Sequence, residues 1–262
     1  MTEKKSKSVK AIILDMDGVL WRDNEPIGNL PEIFSEIGMR GWQVSLATNN
    51  ATRTINQYVE KLANFGVEVQ ENQIINSAQT AAIYLKKFFP QGGNVYCVGE
   101  SALSNTILNE GFNISTKNVV AVVVAMDRKL TYEKLVRATL LIRSGAKFIA
   151  TNPDRTFPTP VGLVPGTGAT LAALEAASEI KPVVVGKPAP EMYQIAMQRM
   201  GILPENTLVV GDRLETDIAG AQEIGCRSAL VLSGVTSLQK AQAWKPALDW
   251  LATDLTSLLA QL

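Results

Sequence analysis

Short unbroken apolar runs alternate along this chain with longer stretches in which apolar residues recur every three or four positions. The short runs are AIIL (11–14), VSLA (44–47), VYCV (95–98), VVAVVVAM (119–126), FIAT (148–151), VVV (183–185), LVV (208–210) and ALVL (229–232). Their length and lack of polar alternation predict strands covered on both faces, as in parallel sheets. Between them, Ile55, Tyr58, Val59, Leu62 and Phe65 fall at helical spacing before Gly66, and Met192, Ile195, Ala196 and Met200 do so before Gly201. Segments 103–110, 132–144 and 217–224 likewise end at Gly111, Gly145 and Gly225. Glycine just past the last apolar position is a helix stop. Strand and helix in alternation predict an α/β fold with parallel sheets.

Four of the runs lead directly into polar residues: Asp15 after AIIL, Thr48 after VSLA, Lys187 after VVVG and Asp212 after LVVG. In open α/β sheets ligands bind beyond the carboxyl ends of the strands, so these four positions converge on one predicted crevice. The runs near residues 95, 119 and 148 carry no such group, apart from the loop after Thr151. This predicts a core domain in two parts, 1–79 and 183–262, interrupted by an inserted domain, 80–182. The hinges are expected near Asn76–Thr80 and Ile180–Pro182, where helical patterning lapses and proline restricts the chain.

Composition then narrows the chemistry. A chain of 262 residues with 46% hydrophobic and 19% charged residues is globular in character. Lys+Arg and Asp+Glu number 25 each. That balance removes the footprint of a nucleic-acid binder or of a protein held to anionic lipid. The chain has no histidine, which excludes Ser-His-Asp and Cys-His pairs, HExxH zinc sites and phosphohistidine chemistry. Cys97 and Cys226 are too far apart for a CxxC motif and read as reduced core thiols. The longest apolar run falls far short of the roughly 20 residues that span a bilayer. The lysine-rich start (Lys4, Lys5, Lys7, Lys10) lacks the apolar core of a secretory signal and reads as a solvated tail. A cytoplasmic location is the expectation, without nucleic-acid or membrane partners.

The four polar sites suit phosphoryl chemistry. In LDMDGV, Asp15 and Asp17 are two apart on an extended strand end and address one ligand, while Gly18 permits the tight turn that follows. A DxD by itself is a weak signal, since surface turns use it freely. Thr48 offers a hydroxyl, and Asn49 and Asn50 offer backbone N–H groups that suit phosphate oxygens; a helix N-cap accounts for the same residues and is compatible with that role. Lys187, in VGKPAP, brings a flexible ammonium to the crevice from a stiff backbone. GDRLETD supplies Asp212 and Asp217, the latter also a capping carboxylate. Aspartates without histidine or cysteine select hard, oxygen-seeking Mg²⁺ over zinc, and an aspartate is the only obvious nucleophile.

LDMDGVLW, SLATNN, VVVGKPAPEMY and LVVGDRLETDI, in that order, resemble the four motifs of the haloacid dehalogenase superfamily of phosphohydrolases. The intervening AMDRKLTYEKL, FIATNPD and PGTGATLAA resemble the NagD-like, p-nitrophenyl phosphatase subfamily, which carries an α/β cap there. The likeness runs from Lys10 to about Val235. It implies a Rossmann-like parallel-sheet core with an inserted α/β cap of C2 type. It implies a Mg²⁺-dependent phosphatase acting on small phosphate monoesters, such as p-nitrophenyl phosphate, phosphoglycolate, nucleotides or pyridoxal phosphate. In that family pattern Asp15 attacks phosphorus to form an aspartyl-phosphate, and Asp17 is the acid and then the base. Asp15, the Asp17 carbonyl and Asp212 ligate the metal, with Asp217 as a further ligand or their orienting partner. Thr48, the Asn49 amide and Lys187 bind the transferring oxygens. The carboxylate at Asp17 also separates this chain from the dehalogenases, which lack it, and from the P-type ATPases, which carry threonine.

The inserted cap is expected to supply substrate contacts, with Asn152, Asp154 and Arg155 of TNPDRTFPTPVG as candidates; Arg155 reads equally as an anion receptor or an exposed loop arginine. PGTGATLAAL lacks the third glycine of a dinucleotide fingerprint and reads as the start of a cap helix. Phe88, Phe89, Trp244 and Trp250 are read at helical positions, serving packing or a partner surface. A homodimer through the cap is admissible, although no sequence feature marks it. Two other functions share these residues: a phosphomutase or phosphotransferase, and a binding protein on the same fold that has lost its chemistry.

Overall fold

The structure, a computed structural model, describes residues 9–159 and 162–262; the lysine-rich start up to Lys7 lies outside them. In chain order its elements are β1 (Ala11–Leu14), β2 (Trp21–Arg22), β3 (Glu25–Pro26), α1 (Leu30–Met39), β4 (Gln43–Thr48), α2 (Ile55–Asn64), β5 (Ile74–Asn76), α3 (Ser77–Lys86), β6 (Asn94–Val98), α4 (Ser101–Asn109), β7 (Asn113–Ile114), β8 (Val119–Val124) and α5 (Tyr132–Arg143). There follow β9 (Lys147–Ala150), β10 (Thr156–Thr159), β11 (Gly162–Pro165), α6 (Thr167–Ser178), β12 (Val183–Val184), α7 (Pro190–Met200), β13 (Thr207–Gly211), α8 (Ala219–Glu223), β14 (Arg227–Val231), α9 (Leu238–Ala243), β15 (Trp250–Ala252) and α10 (Leu255–Leu259). They divide into two compact units: the chain up to Thr48 with Ile55–Ile75 and Lys187–Leu262, and Asn49–Thr54 with Asn76–Gly186.

The first unit is built on a six-stranded sheet in the order β15-β14-β13-β1-β4-β5. Strand β1 lies parallel to both neighbours and is buried throughout, which explains why its sequence shows no alternation. Its side chains still alternate between faces. Ile12 and Leu14 join Leu30, Ile33 and Ile37 of α1, Tyr58 and Leu62 of α2 and Leu258 of α10. Ile13 joins Ala47, Val209 and the Met192, Tyr193 and Ala196 face of α7. Each such leucine, isoleucine, valine or methionine is worth about 1.5–3 kcal/mol of burial. Leu14 pairs in register with Leu46 of β4 and Val210 of β13, so the residues that follow all emerge at one edge.

The second unit has its own parallel sheet, in the order β12-β9-β8-β6-β7, and an antiparallel hairpin of β10 and β11. Ala78, Ala81, Ala82 and Leu85 of α3 and Leu103 and Ile107 of α4 cover one face of it, against Val95, Ala121 and Val123. Ala138, Ile142, Leu171 and Leu174 of α5 and α6 cover the other, against Val122 and Val124. The PGTGATLAAL segment does open a helix, α6, which begins at Thr167. The longer segment of this unit runs from Asn76 to Gly186, beside the short Asn49–Thr54. Asn76 caps α3 by accepting from Gln79 N–H, and β12 pairs with β9.

The aromatic residues are placed differently from the helical reading. Phe88 and Phe89 follow the end of α3; Phe88 is exposed beneath the Lys147 ammonium, 3.9 Å from its ring centre. Trp250 lies in strand β15, where Arg227 sits over its ring. Trp244 ends α9 and donates its indole N–H to Gln222. Helical spacing there was a coincidence of short connections, with periodicity too brief to discriminate.

Candidate active site

Parallel register brings the site of the first unit together. Asp15 leaves β1 and Asp212 leaves β13, strands paired side by side, and Thr48 ends β4 on the other flank of β1. Lys187 precedes α7, and Asp217 lies in a π-helical turn, Leu214–Ile218, ahead of α8. Asp15, Thr48, Lys187, Asp212 and Asp217 are all buried. Carboxylate oxygens of Asp15, Asp212 and Asp217, one from each, lie within 4.8 Å of one another.

The Lys187 ammonium joins this cluster with three donated hydrogen bonds: to Asp15 Oδ1 at 2.5 Å, Asp217 Oδ1 at 2.6 Å and the Ala47 carbonyl at 3.0 Å. Burial works against its charge, but the attraction of Asp15 and Asp217 outweighs burial and holds its pKa above the usual lysine range. Asp217 is fixed from its other oxygen by the Arg213 N–H at 3.1 Å. That bond ties the carboxylate to the residue that opens its own turn, alongside its bond to the lysine. Tyr193, buried under the same turn, reaches the carbonyls of Thr216 and Asp217 at 3.1 and 3.2 Å.

Asp212 is supported by residues that the sequence reading left out. The loop after β14 gives it the Val235 N–H, 2.8 Å from Oδ2, and Thr236 Oγ1 donates to its carbonyl. Gly234 is required there: a Cβ at that position would stand 1.9 Å from Asp212 Oδ2. Gly18, at φ +89, faces the same carboxylate, and its Cβ would come within 2.7 Å of Oδ2. The available signal was the polar, glycine-containing SGVTS immediately after a strand, the same pattern that marked the other four sites.

Charge decides what this pocket can hold. Three carboxylates against one ammonium leave two negative charges in excess in a water-poor setting. Burial first, then repulsion from Asp217, pushes Asp212 up to about 6. Burial first, with repulsion from Asp217 and Asp212, also raises Asp15 well above the usual carboxylate range, against the pull of Lys187. Such a cluster relieves its repulsion by taking up a proton or a cation. Its donors are all oxygen, a set suited to a hard divalent cation.

The remaining sequence-predicted residues are placed elsewhere. Asp17 is exposed and accepts the Trp21 indole N–H at Oδ1, 2.8 Å away. Asn49, Asn50, Asn152, Asp154 and Arg155 belong to the second unit. Within it, Asn152 Nδ2 and Ser77 Oγ donate to the Asn49 carbonyl, and Asn49 Nδ2 reaches Asp154 Oδ2 at 3.4 Å. Asn50 Oδ1 accepts from the N–H and hydroxyl of Thr52, closing a local turn. Arg155 is exposed.

Comparison with known proteins accords with this geometry. The sequence profile described as haloacid dehalogenase-like hydrolase matches residues 12–113, and one described as HAD-hydrolase-like matches residues 184–258. The acid sugar phosphatase of Staphylococcus aureus is 32% identical over 257 residues, covering 98% of this chain and 99% of its own. Among solved structures, a p-nitrophenyl phosphatase from Archaeoglobus fulgidus superposes with a TM-score of 0.92 at 31% identity, covering 97% of this chain and all of its own. A glycerol phosphate phosphatase from Mycobacterium tuberculosis, in complex with magnesium, has a TM-score of 0.88 at 34% identity, covering 96% of this chain and 76% of its own. Among the described residues no helix is long and apolar enough to cross a membrane.

Proposed function

Because the chain belongs to the haloacid dehalogenase-like hydrolases, we infer that it is a Mg²⁺-dependent phosphatase that cleaves small phosphate monoesters through an aspartyl-phosphate. The observation that carries the reading is the buried Lys187 ammonium bridging Asp15 and Asp217 beside Asp212. The cluster is negative enough to need a cation, yet its lysine is poised to offset the approach of a phosphate dianion to a carboxylate.

Asp15 is the nucleophile: its carboxylate oxygen bonds to phosphorus as the bond to the leaving oxygen breaks. Asp17 protonates that leaving oxygen, then takes a proton from the water that displaces Asp15 and releases inorganic phosphate. Lys187 favours the ionised form of Asp15 against burial and the neighbouring carboxylates, and binds a transferring oxygen, while the Thr48 hydroxyl holds another. Asp15, the Asp17 carbonyl, Asp212 and Asp217 would hold Mg²⁺, which when bound supplies charge neutralisation and Lewis acidity at the phosphoryl group. We assign the second unit the role of cap. Asn49 and Asn50 are assigned to phosphate binding through their backbone N–H groups, and Asn152, Asp154 and Arg155 to substrate contacts from the cap.

The names of the relatives put sugar and glycerol phosphates first in a panel of candidate substrates. The test is phosphate release by the purified protein across that panel, with p-nitrophenyl phosphate, phosphoglycolate, nucleotides and pyridoxal phosphate, in Mg²⁺ and in excess chelator. Release in Mg²⁺ that disappears in chelator is expected. Asp15→Asn should retain the fold and lose at least about a thousandfold in turnover. Undiminished release in chelator, or by Asp15→Asn, overturns the metal or the nucleophile assignment respectively.

A further inference from the structure

We propose that Trp21 is a positioning residue for Asp17, its indole N–H fixing which carboxyl oxygen gives and takes the proton. The proposal rests on the acid and base role assigned to Asp17 above. The indole N–H points at Oδ1 from 2.8 Å. An indole nitrogen only donates, so Oδ1 is held as an acceptor, and a proton taken up by the carboxyl group is carried on Oδ2. In the first step Oδ2–H passes its proton to the leaving oxygen as the P–O bond breaks and the Asp15–phosphorus bond forms. In the second, Oδ2 takes a proton from water as the water oxygen bonds to phosphorus and Asp15 is released. Proton, phosphoryl group and charge balance across the two steps without another reactant.

The backbone brings the two side chains together. Between Met16 and Trp21 the chain folds on itself: Leu20 N–H donates to the Met16 carbonyl and Gly18 N–H to the Trp21 carbonyl, each at 2.8 Å. The ring is then pinned on all sides. Trp21 is fully buried, stacked on Tyr58 at 6.4 Å and 16° between planes, and packed against Phe65 at 6.0 Å. The Lys61 ammonium sits 4.1 Å from its ring centre and donates to the Asp23 carbonyl at 2.6 Å, tying α2 to the turn between β2 and β3. An exposed carboxylate turns freely about its side-chain bonds; one held by a buried, immobile donor does not. A core tryptophan would pack equally well without aiming its N–H at the acid of the proposed reaction.

The test is Trp21→Phe, which keeps the ring and removes the N–H. Values of kcat/KM in Mg²⁺ are compared for glycerol phosphate, whose leaving alkoxide needs a proton, and 2,4-dinitrophenyl phosphate, whose leaving group does not. Loss at least tenfold greater for glycerol phosphate is expected, a part of the roughly 10²–10⁴ that a general acid contributes. In an Asp17→Asn background the same substitution should leave the ratio unchanged, because the group it positions is gone. Equal loss on both substrates, or an undiminished effect beside Asp17→Asn, assigns Trp21 to packing and overturns the proposal. An independent readout avoids the variant: Asp17→Ala should shift one tryptophan indole N–H resonance and speed its hydrogen exchange at least tenfold, and no change in any indole also overturns it. Absence of turnover by the unaltered protein on every substrate overturns this proposal together with the function on which it rests.

Discussion

Removing an active-site carboxylate should stabilise this protein in the absence of metal. Asp212 is almost wholly buried and its pKa stands at about 6, against an ordinary aspartate value of about 3.9. Between those two values the native state binds more protons than the unfolded chain, so stability falls as pH rises through the interval. Two pH units at about 1.4 kcal/mol each set a ceiling of about 3 kcal/mol on the cost of ionising Asp212 at pH 7.5. Because Asp217 shares that charge, about 1–3 kcal/mol is expected. Asp212→Asn keeps a carbonyl for the Val235 N–H and turns its amide donors toward the remaining carboxylates. In chelator at pH 7.5 its midpoint should therefore lie about 2–12 °C above wild type, at about 2–4 °C per kcal/mol for a chain of this size. At pH 4.5, where wild-type Asp212 is already protonated, the gap should shrink to about a third. The assay is thermal unfolding followed by circular dichroism, wild type against variant, over pH 4.5–7.5. Saturating Mg²⁺ should reverse the order by stabilising the wild type alone. A variant no more stable than wild type in chelator at pH 7.5, or a gap that does not narrow with acid, refutes the charge account of the site.

Lys187→Met removes the ammonium that separates Asp15 from Asp217 and should cost about 3–5 kcal/mol of stability. Phosphate release should fall below detection, and an unchanged urea midpoint would contradict the bridging role. Burial pushes the Cys97 thiol up to about 12, against a smaller opposing hydrogen bond from Ser104. At pH 8 its reaction with Ellman's reagent should accordingly run about a thousandfold slower than that of a free cysteine. Rapid labelling of the native protein would show that the thiol of this half-buried side chain is not held from solvent.

Strands such as β1, β13 and β14 were legible because each is short, largely apolar and buried throughout, and Asp15 and Asp212 because each follows such a run directly. Other elements left weaker traces. Helix α1 has its signals in place, with Asn29 as cap and proline in its first turn, yet its apolar positions follow no strand with a polar end. Strand β5 is three residues long, below the length at which periodicity exists. Trp250 looked helical because a three-residue strand lies between short helices, and only pairing of β15 with β14 decides its state.

The sequence by itself determined which groups share one sheet edge: with no histidine in the chain, Asp15, Thr48, Lys187 and Asp212 each follow an apolar strand run. Tertiary structure alone decided how those groups share charge. That Lys187 bridges Asp15 and Asp217, and that Gly234 clears the space for Asp212, depend on distances between residues far apart in the chain. Parallel pairing sets those distances, and neither composition nor local periodicity encodes which strands become neighbours.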